Sequence, residues 1–249
     1  MKLLSFSTAA GDSYGIVQGD GVIDLGRRLG SKYPDLRSLL EGNGQAEAAA
    51  LAGEAPDHSL DAITYLQVIP NARRIICIGL NYREHAEEMG LDFPENPSLF
   101  SKWPDALVGH EQDVVRPKAS THYDFEGELA FIISKPGRHI STAAAMDHVA
   151  GYCPFLDGSV RDFQGQSVIA GKNFQHSGSC GPWMTTADEI ADPMNLQLTT
   201  RLNGDVVQNE STEQLFYTVP DIIAYVSQFT PLHPGDVIAT GPPSGVGAG

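Results

Sequence analysis

A chain of 249 residues can bury a full-sized core, as one large domain or as a small domain followed by a larger one. Its 31 acidic residues against 16 basic ones give a formal charge of −15, which argues against nucleic acid or an anionic membrane as a general partner. No apolar run approaches the roughly 20 residues of a membrane span, the N-terminus lacks the apolar stretch of a secretion signal, and Cys77, Cys153 and Cys180 form no CxxC pair, so a cytoplasmic location without disulfides or a thiolate zinc site is expected.

Lys2 to Ser7, Tyr14 to Gln18 and Gly21 to Leu25 read as short strands separated by the turn pairs Gly11-Asp12 and Gly19-Asp20. Two helices are expected next, Pro34 to Leu40 with Ser31 just upstream, and alanine-rich Gln45 to Ala52 ending at Gly53. Pro, Asp, His and Ser accumulate from Glu54 to Leu60, so residues 1–68 are expected to form a small α+β domain and 69–249 a larger one.

The larger part opens with a continuous apolar run, Arg74 to Gly79, which reads as a buried strand. Leu80-Asn81-Tyr82 then leads into a helix carrying His85, Glu88 and Met89. Residues three apart share a helix face, so His85 and Glu88 can hydrogen-bond, orienting the imidazole to take a proton from water. An ordinary solvated face is the competing reading. Phe93 to Pro97 is a loop, and Ser98 to Lys102 and Ala106 to Gly109 read as short strands, with Lys102 a surface lysine or a substrate contact.

Asp124-Phe125-Glu126-Gly127-Glu128-Leu129-Ala130 places three carboxylates at alternate positions of a strand-like run. Strand alternation puts Asp124, Glu126 and Glu128 on one face and Phe125, Leu129, Phe131 and Ile133 on the other. Such a face is either solvated or held together by a cation, and oxygen ligands suit Mg²⁺, Mn²⁺ or Ca²⁺. The strand stops at Lys135-Pro136-Gly137. A helix from Thr142 to His148 and a buried strand from Val149 to Leu156 follow, ending at Asp157, either a turn residue or a third oxygen ligand. Arg161, Gln164 and Lys172 then cluster as donors suited to a carboxylate or a developing enolate, with a salt bridge from Arg161 to Asp162 or Asp157 as the alternative.

Leu196, Leu198, Thr200 and Leu202 alternate into Asn203-Gly204, a type I′ hairpin signal, and Val206-Val207-Gln208 returns. Pro220 to Phe229 is expected as a core helix, after which Leu232 to Ile238 turns into a strand ending in Thr240-Gly241-Pro242-Pro243-Ser244-Gly245-Val246-Gly247, whose glycines allow close backbone approach to a ligand. Neither a P-loop nor a dinucleotide fingerprint fits these glycines.

Taken in order, Gly79-Leu80-Asn81-Tyr82, His85, Glu88, the Asp124 to Ala130 run, Asp157, Arg161-Asp162, Gln164, Gly171-Lys172, Gly181-Pro182-Trp183, Pro234-Gly235-Asp236 and Thr240-Gly241 resemble the fumarylacetoacetate hydrolase family. The resemblance runs from about residue 70 to the end. It implies an α+β, β-rich fold, a mixed β-roll catalytic domain preceded by the small N-terminal domain, and a catalytic domain that is C-terminally incomplete at Gly249. It implies that Glu126, Glu128 and Asp157 bind Mg²⁺ or Mn²⁺, that His85 and Glu88 activate water, that Lys172 stabilises negative charge, and that Arg161, Gln164 and Thr240 contact the substrate carboxylate. Asp124 receives no ligand role. The implied reaction is metal-dependent C–C hydrolysis of 2,4-dioxo acids by a cytoplasmic homodimer, as in aromatic catabolism, with isomerisation, decarboxylation or metal binding without catalysis as alternatives.

Overall fold

The computed structural model describes residues 1–88, 90, 92 and 94–248; Met89, expected in a helix, Phe93, expected in a loop, and Gly249, the expected end of the larger domain, lie outside them. Strands β1 (Lys2–Thr8), β2 (Gly11–Gln18) and β3 (Gly21–Asp24) form an antiparallel meander with Leu3 opposite Ile16 and Ile16 opposite Ile23. The third strand stops one residue early, because the Asp24 carboxylate accepts from the Arg27 N–H and caps a short helix, α1 (Leu25–Leu29), that sequence pattern alone does not announce. Asp35, rather than Ser31, caps α2 (Leu36–Glu41), and α3 (Gln45–Leu51) follows.

The remaining elements in chain order are β4 (His58–Ser59), β5 (Thr64–Tyr65), β6 (Ile75–Gly79), α4 (Arg83–Glu88), β7 (Ser98–Lys102), β8 (Leu107–Val108), β9 (Tyr123–Asp124) and β10 (Gly127–Ile133). They continue as α5 (Thr142–Ala145), β11 (Val149–Leu156), β12 (Ser159–Val160), α6 (Arg161–Gln164), α7 (Val168–Lys172), β13 (Gly178–Cys180) and β14 (Met184–Thr186). The hairpin β15 (Gln197–Leu202) and β16 (Asp205–Ser211), helix α8 (Val219–Phe229) and β17 (Val237–Ala239) complete the described chain. Asn203 and Gly204 both take positive φ, 54° and 94°, as a type I′ turn requires. Thr218 and Asp221 cap α8 reciprocally, so the helix starts at the residue before Pro220.

Among the described residues the main sheet runs β4-β3-β2-β1-β14-β11-β10-β17-β6-β7. Most neighbours are antiparallel, whereas β17 runs parallel to β6 and β13 to β8, so the sheet is mixed. The N-terminal meander joins the rest through β1, whose Leu3 lies opposite Met184 of β14. Strand β10 is central and buried on both faces: Ala130 and Ile132 pack with Leu3, Leu36 and Leu39, while Phe131 and Ile133 pack with Ile222, Ile223 and Val226 of α8. No helix among the described residues is long and apolar enough to cross a membrane.

The acidic run departs from the expected continuous strand. It breaks at Phe125 and Glu126, because Tyr123 and Asp124 pair with Val160 and Ser159 of β12 while Gly127 onward pairs with β11. The three carboxylates therefore do not share a strand face, and none is solvated: Asp124, Glu126 and Glu128 are 6%, 4% and 1% exposed.

Candidate active site

Three carboxylates converge where β10 begins and β11 ends. The Asp157 N–H donates to the Glu126 carbonyl at 2.9 Å, which brings the residue after β11 beside the residues leading into β10. Glu126, Glu128 and Asp157 each offer an oxygen, and these oxygens lie within 4.8 Å of one another. Gln208 of β16 holds the intervening turn, accepting from the Gly127 N–H at 2.9 Å and donating to the Pro243 carbonyl at 2.9 Å.

Negative charge this concentrated and this buried needs compensation. Lys172, at the last position of α7, donates to Glu126 Oε2 at 2.5 Å and Asp157 Oδ2 at 2.8 Å. Arg161, the first residue of α6, pairs with Glu126 Oε1 at 2.8 Å and donates from Nε to Asp124 Oδ2 at 2.8 Å. Neither Asp157 nor Asp162 is its partner, contrary to the alternative raised by sequence; Asp162 instead accepts from Ser120. Asp124 also accepts from the Gly247 and Ala248 N–H groups, so it anchors Arg161 and the terminal loop without joining the three ligating candidates.

Lys102 corrects the surface or substrate-contact expectation. It is 1% exposed and its Nζ lies 2.6 Å from Asp157 Oδ1. No local pattern in Ser98 to Lys102 distinguishes it, since its partner lies 55 residues away.

Electrostatics separate the carboxyls. Burial, followed by the Asp157 and Glu126 charges, pushes the Glu128 carboxyl well above the usual range, and its buried Oε1 has no hydrogen-bond partner among the described residues. Burial also raises Asp157, but the Lys102 and Lys172 ammoniums outweigh it and hold this carboxyl below the usual range. An orphaned buried oxygen beside two other carboxylates, all hard oxygen donors, fits a divalent cation of the Mg²⁺, Mn²⁺ or Ca²⁺ kind.

His85 and Glu88 lie on α4, with His85 Nδ1 3.3 Å from Glu88 Oε2. His85 is only 4% exposed while Glu88 is exposed, so the face is buried at the imidazole and open to solvent at Glu88. Glu88 Oε1 accepts from the Gly245 N–H at 3.0 Å, which ties the dyad to the loop after β17. His85 shares a cavity of about 220 Å³ with Glu126, Arg161, Gln164 and Lys172, and Phe100 is part of its lining. Gln164 accepts from Arg161 at 3.0 Å. Thr240 is placed differently. Its hydroxyl and N–H both donate to the Leu129 carbonyl at 2.9 Å, and Pro242, two residues on, lines the cavity instead.

The glycine after Thr240, one of those expected to allow close backbone approach, contacts the acidic triad through a partner that no local pattern announces. Gly241 donates its N–H to Glu128 Oε2 at 2.7 Å and takes φ +94°, and a Cβ there would meet the Ile78 carbonyl at 2.8 Å.

Comparisons with known proteins identify the family. The family described as fumarylacetoacetate (FAA) hydrolase C-terminal matches residues 74–249. Human mitochondrial oxaloacetate tautomerase FAHD2A is 39% identical over 237 residues, covering 92% of this chain and 75% of that protein. The crystal structure of maleylpyruvate hydrolase from Sphingobium sp. SYK-6 in complex with manganese(II) and pyruvate is 33% identical with a TM-score of 0.84, covering 99% of this chain and 90% of that one. The structure of 2-hydroxyhepta-2,4-diene-1,7-dioate isomerase from Mycobacterium marinum is 27% identical with a TM-score of 0.75, covering 99% and 89% respectively. With a match over most of its length and a buried acidic triad where β10 begins and β11 ends, this chain belongs to the fumarylacetoacetate hydrolase family.

Proposed function

We propose that this chain is a divalent-metal-dependent hydrolase that cleaves a C–C bond in 2,4-dioxo acids of the acylpyruvate or fumarylpyruvate kind. The observation that carries the reading is the single cavity onto which His85, Lys172, Arg161 and Glu126 all open. Mg²⁺ or Mn²⁺ is the ion expected. Glu126, Glu128 and Asp157 would hold it, and it supplies Lewis-acid polarisation of the acid's 2-oxo oxygen.

The protein's own groups account for the rest. Arg161 lines the cavity with Gln164, and the part of its guanidinium that Asp124, Glu126 and Gln164 leave uncommitted would meet the substrate carboxylate. His85, oriented by Glu88, takes a proton from water as the water oxygen adds to the C4 carbonyl. The C3–C4 bond then breaks with its electron pair passing to C3, leaving the enolate of pyruvate and a carboxylic acid. The Lys172 ammonium lies beside the cavity to stabilise that enolate, and a proton returned to C3 completes the balance. Phe100 and the burial of His85 and Lys172 limit water around the developing charge.

A second reading is favoured by the 39% identity to human oxaloacetate tautomerase FAHD2A. The same dyad, without adding water, would move a proton between C3 and the 2-oxo oxygen of oxaloacetate. A screen of acylpyruvates, oxaloacetate and hydroxymuconate-type acids with Mg²⁺ or Mn²⁺ separates the two. Release of pyruvate from an acylpyruvate, abolished by EDTA and restored by metal, supports hydrolysis. Exchange of oxaloacetate enol and keto forms with no acylpyruvate cleavage replaces hydrolysis with tautomerisation.

A further inference from the structure

The two buried lysines that share Asp157 differ in what they have left to offer. The geometry points to Lys102 as a positioning residue that holds Asp157 in the orientation a divalent cation requires and locks the end of α7 to the end of β11. The inference rests on the metal-site reading above and goes beyond it by assigning a group outside the ligand set and outside the cavity.

An ammonium has three N–H donors and no acceptor. All three of Lys102 are committed: to Asp157 Oδ1 at 2.6 Å, to the Gly158 carbonyl at 3.1 Å and to the Lys172 carbonyl at 2.5 Å. Nothing remains for a substrate. Lys172, in contrast, has two carboxylate acceptors, Glu126 and Asp157, and lines the cavity. Lys102 therefore fixes one Asp157 oxygen, while the other faces the ammonium that also touches Glu126.

The acceptors of Lys102 belong to two separate pieces of chain, the turn after β11 and the last residue of α7. Its neighbours repeat the connection: the Trp103 N–H donates to Asn173 Oδ1 at 2.6 Å, and Asn173 Nδ2 donates to the Ser101 carbonyl at 3.0 Å. Gly178 also packs close to the end of the stem, since a Cβ there would come within 3.1 Å of Lys102 Cε. A strand end, a ligand-bearing turn and the helix that presents Lys172 thus meet on one ammonium.

Outer groups that orient metal ligands typically change metal affinity by about 10–100-fold when removed. Lys102→Met keeps the stem and removes the donors, so it is expected to weaken Mn²⁺ binding by about that factor, read by calorimetry or by the Mn²⁺ paramagnetic signal on folded protein. In an Asp157→Asn background the same substitution is expected to add little, because both act through one carboxylate. Lys102→Met that fails to fold alone but folds as Lys102→Met/Asp157→Asn supports the same link between ammonium and carboxylate. Unchanged Mn²⁺ affinity in folded Lys102→Met, additive losses in the double variant, or unfolding in both backgrounds would each overturn the proposal. Glu128→Gln keeps the two claims apart: wild-type Mn²⁺ binding that Glu128→Gln abolishes establishes the metal site whatever Lys102 does. Absence of Mn²⁺ binding by the wild type sinks both.

Discussion

Glu88 is held between two groups far apart in sequence: the His85 ring at 3.3 Å and the Gly245 N–H at 3.0 Å. The backbone contact fixes the carboxylate from the side of the terminal loop, so the imidazole has a partner that does not depend on α4 alone. If His85 is the base that activates water, His85→Ala lowers kcat by about 10²–10⁴-fold while Mn²⁺ affinity stays at the wild-type level. Glu88→Gln lowers kcat less, because the amide still occupies the Gly245 contact. Steady-state kinetics beside Mn²⁺ titration checks both, and full activity of His85→Ala would remove the dyad from the mechanism.

Burial and two neighbouring carboxylates raise the Glu128 carboxyl well above its ordinary value. A carboxyl raised on folding binds more protons in the native state than in the unfolded chain, so it makes stability fall as pH rises through the interval between the two values. In EDTA, thermal unfolding of the wild type is therefore expected to move to lower temperature as pH rises above the ordinary carboxylate range. Glu128→Gln flattens that dependence and raises the unfolding temperature of the metal-free protein near neutrality. Asp157, held low by Lys102 and Lys172, acts oppositely, with its contribution lost as pH falls. Adding Mn²⁺ should reverse the neutral-pH loss in the wild type and have no effect on Glu128→Gln.

Gly241 takes φ +94° while its N–H holds Glu128 Oε2, with the Ile78 carbonyl 2.8 Å from where a Cβ would stand. Gly241→Ala meets both a strained backbone and that carbonyl, at a cost on the order of 1–3 kcal/mol in stability. Because the displaced N–H is the Glu128 donor, the variant should also bind Mn²⁺ more weakly than a comparably destabilised core substitution such as Val226→Ala. Denaturant titration and Mn²⁺ binding on the two variants make the comparison; equal Mn²⁺ affinity would mean the Gly241 contact is scaffold only.

Local chemistry is what the sequence made legible. Asn203-Gly204 specifies a hairpin by φ alone, the three-residue spacing of His85 and Glu88 places them in reach on a helix, and the apolar run from Val149 to Leu156 is strand β11 end to end. Long-range pairing is what it hid. The acidic run looks like one strand because its alternation is unbroken, yet Asp124 pairs with Ser159 and faces Arg161, which no window around Asp124 reveals. Lys102 was obscured for the same reason: a lysine ending a short strand is buried only because Asp157, Gly158 and Lys172 arrive from elsewhere. Helix α1 leaves no separate signal in the sequence, because Asp24 serves as both strand end and cap.

The Lys172 ammonium lies against Glu126 at 2.5 Å and Asp157 at 2.8 Å, while burial, which opposes its charge, is outweighed by those two carboxylates and leaves its pKa above the ordinary lysine range. Removing one partner of such a buried group leaves the others uncompensated, typically at about 3–5 kcal/mol. Lys172→Met is therefore expected to unfold at markedly lower temperature in EDTA, since Glu126 and Asp157 lose the charge between them. A divalent cation binding the same carboxylates replaces that charge, so the Mn²⁺-induced rise in unfolding temperature should be larger in Lys172→Met than in the wild type. Turnover should be lost even when Mn²⁺ restores stability, because no ammonium remains beside the cavity to meet the enolate. Thermal unfolding with and without Mn²⁺, paired with activity, tests both halves. An equal Mn²⁺ shift in variant and wild type would show that the ion does not take over the Lys172 carboxylates, and retained turnover would remove Lys172 from the chemistry.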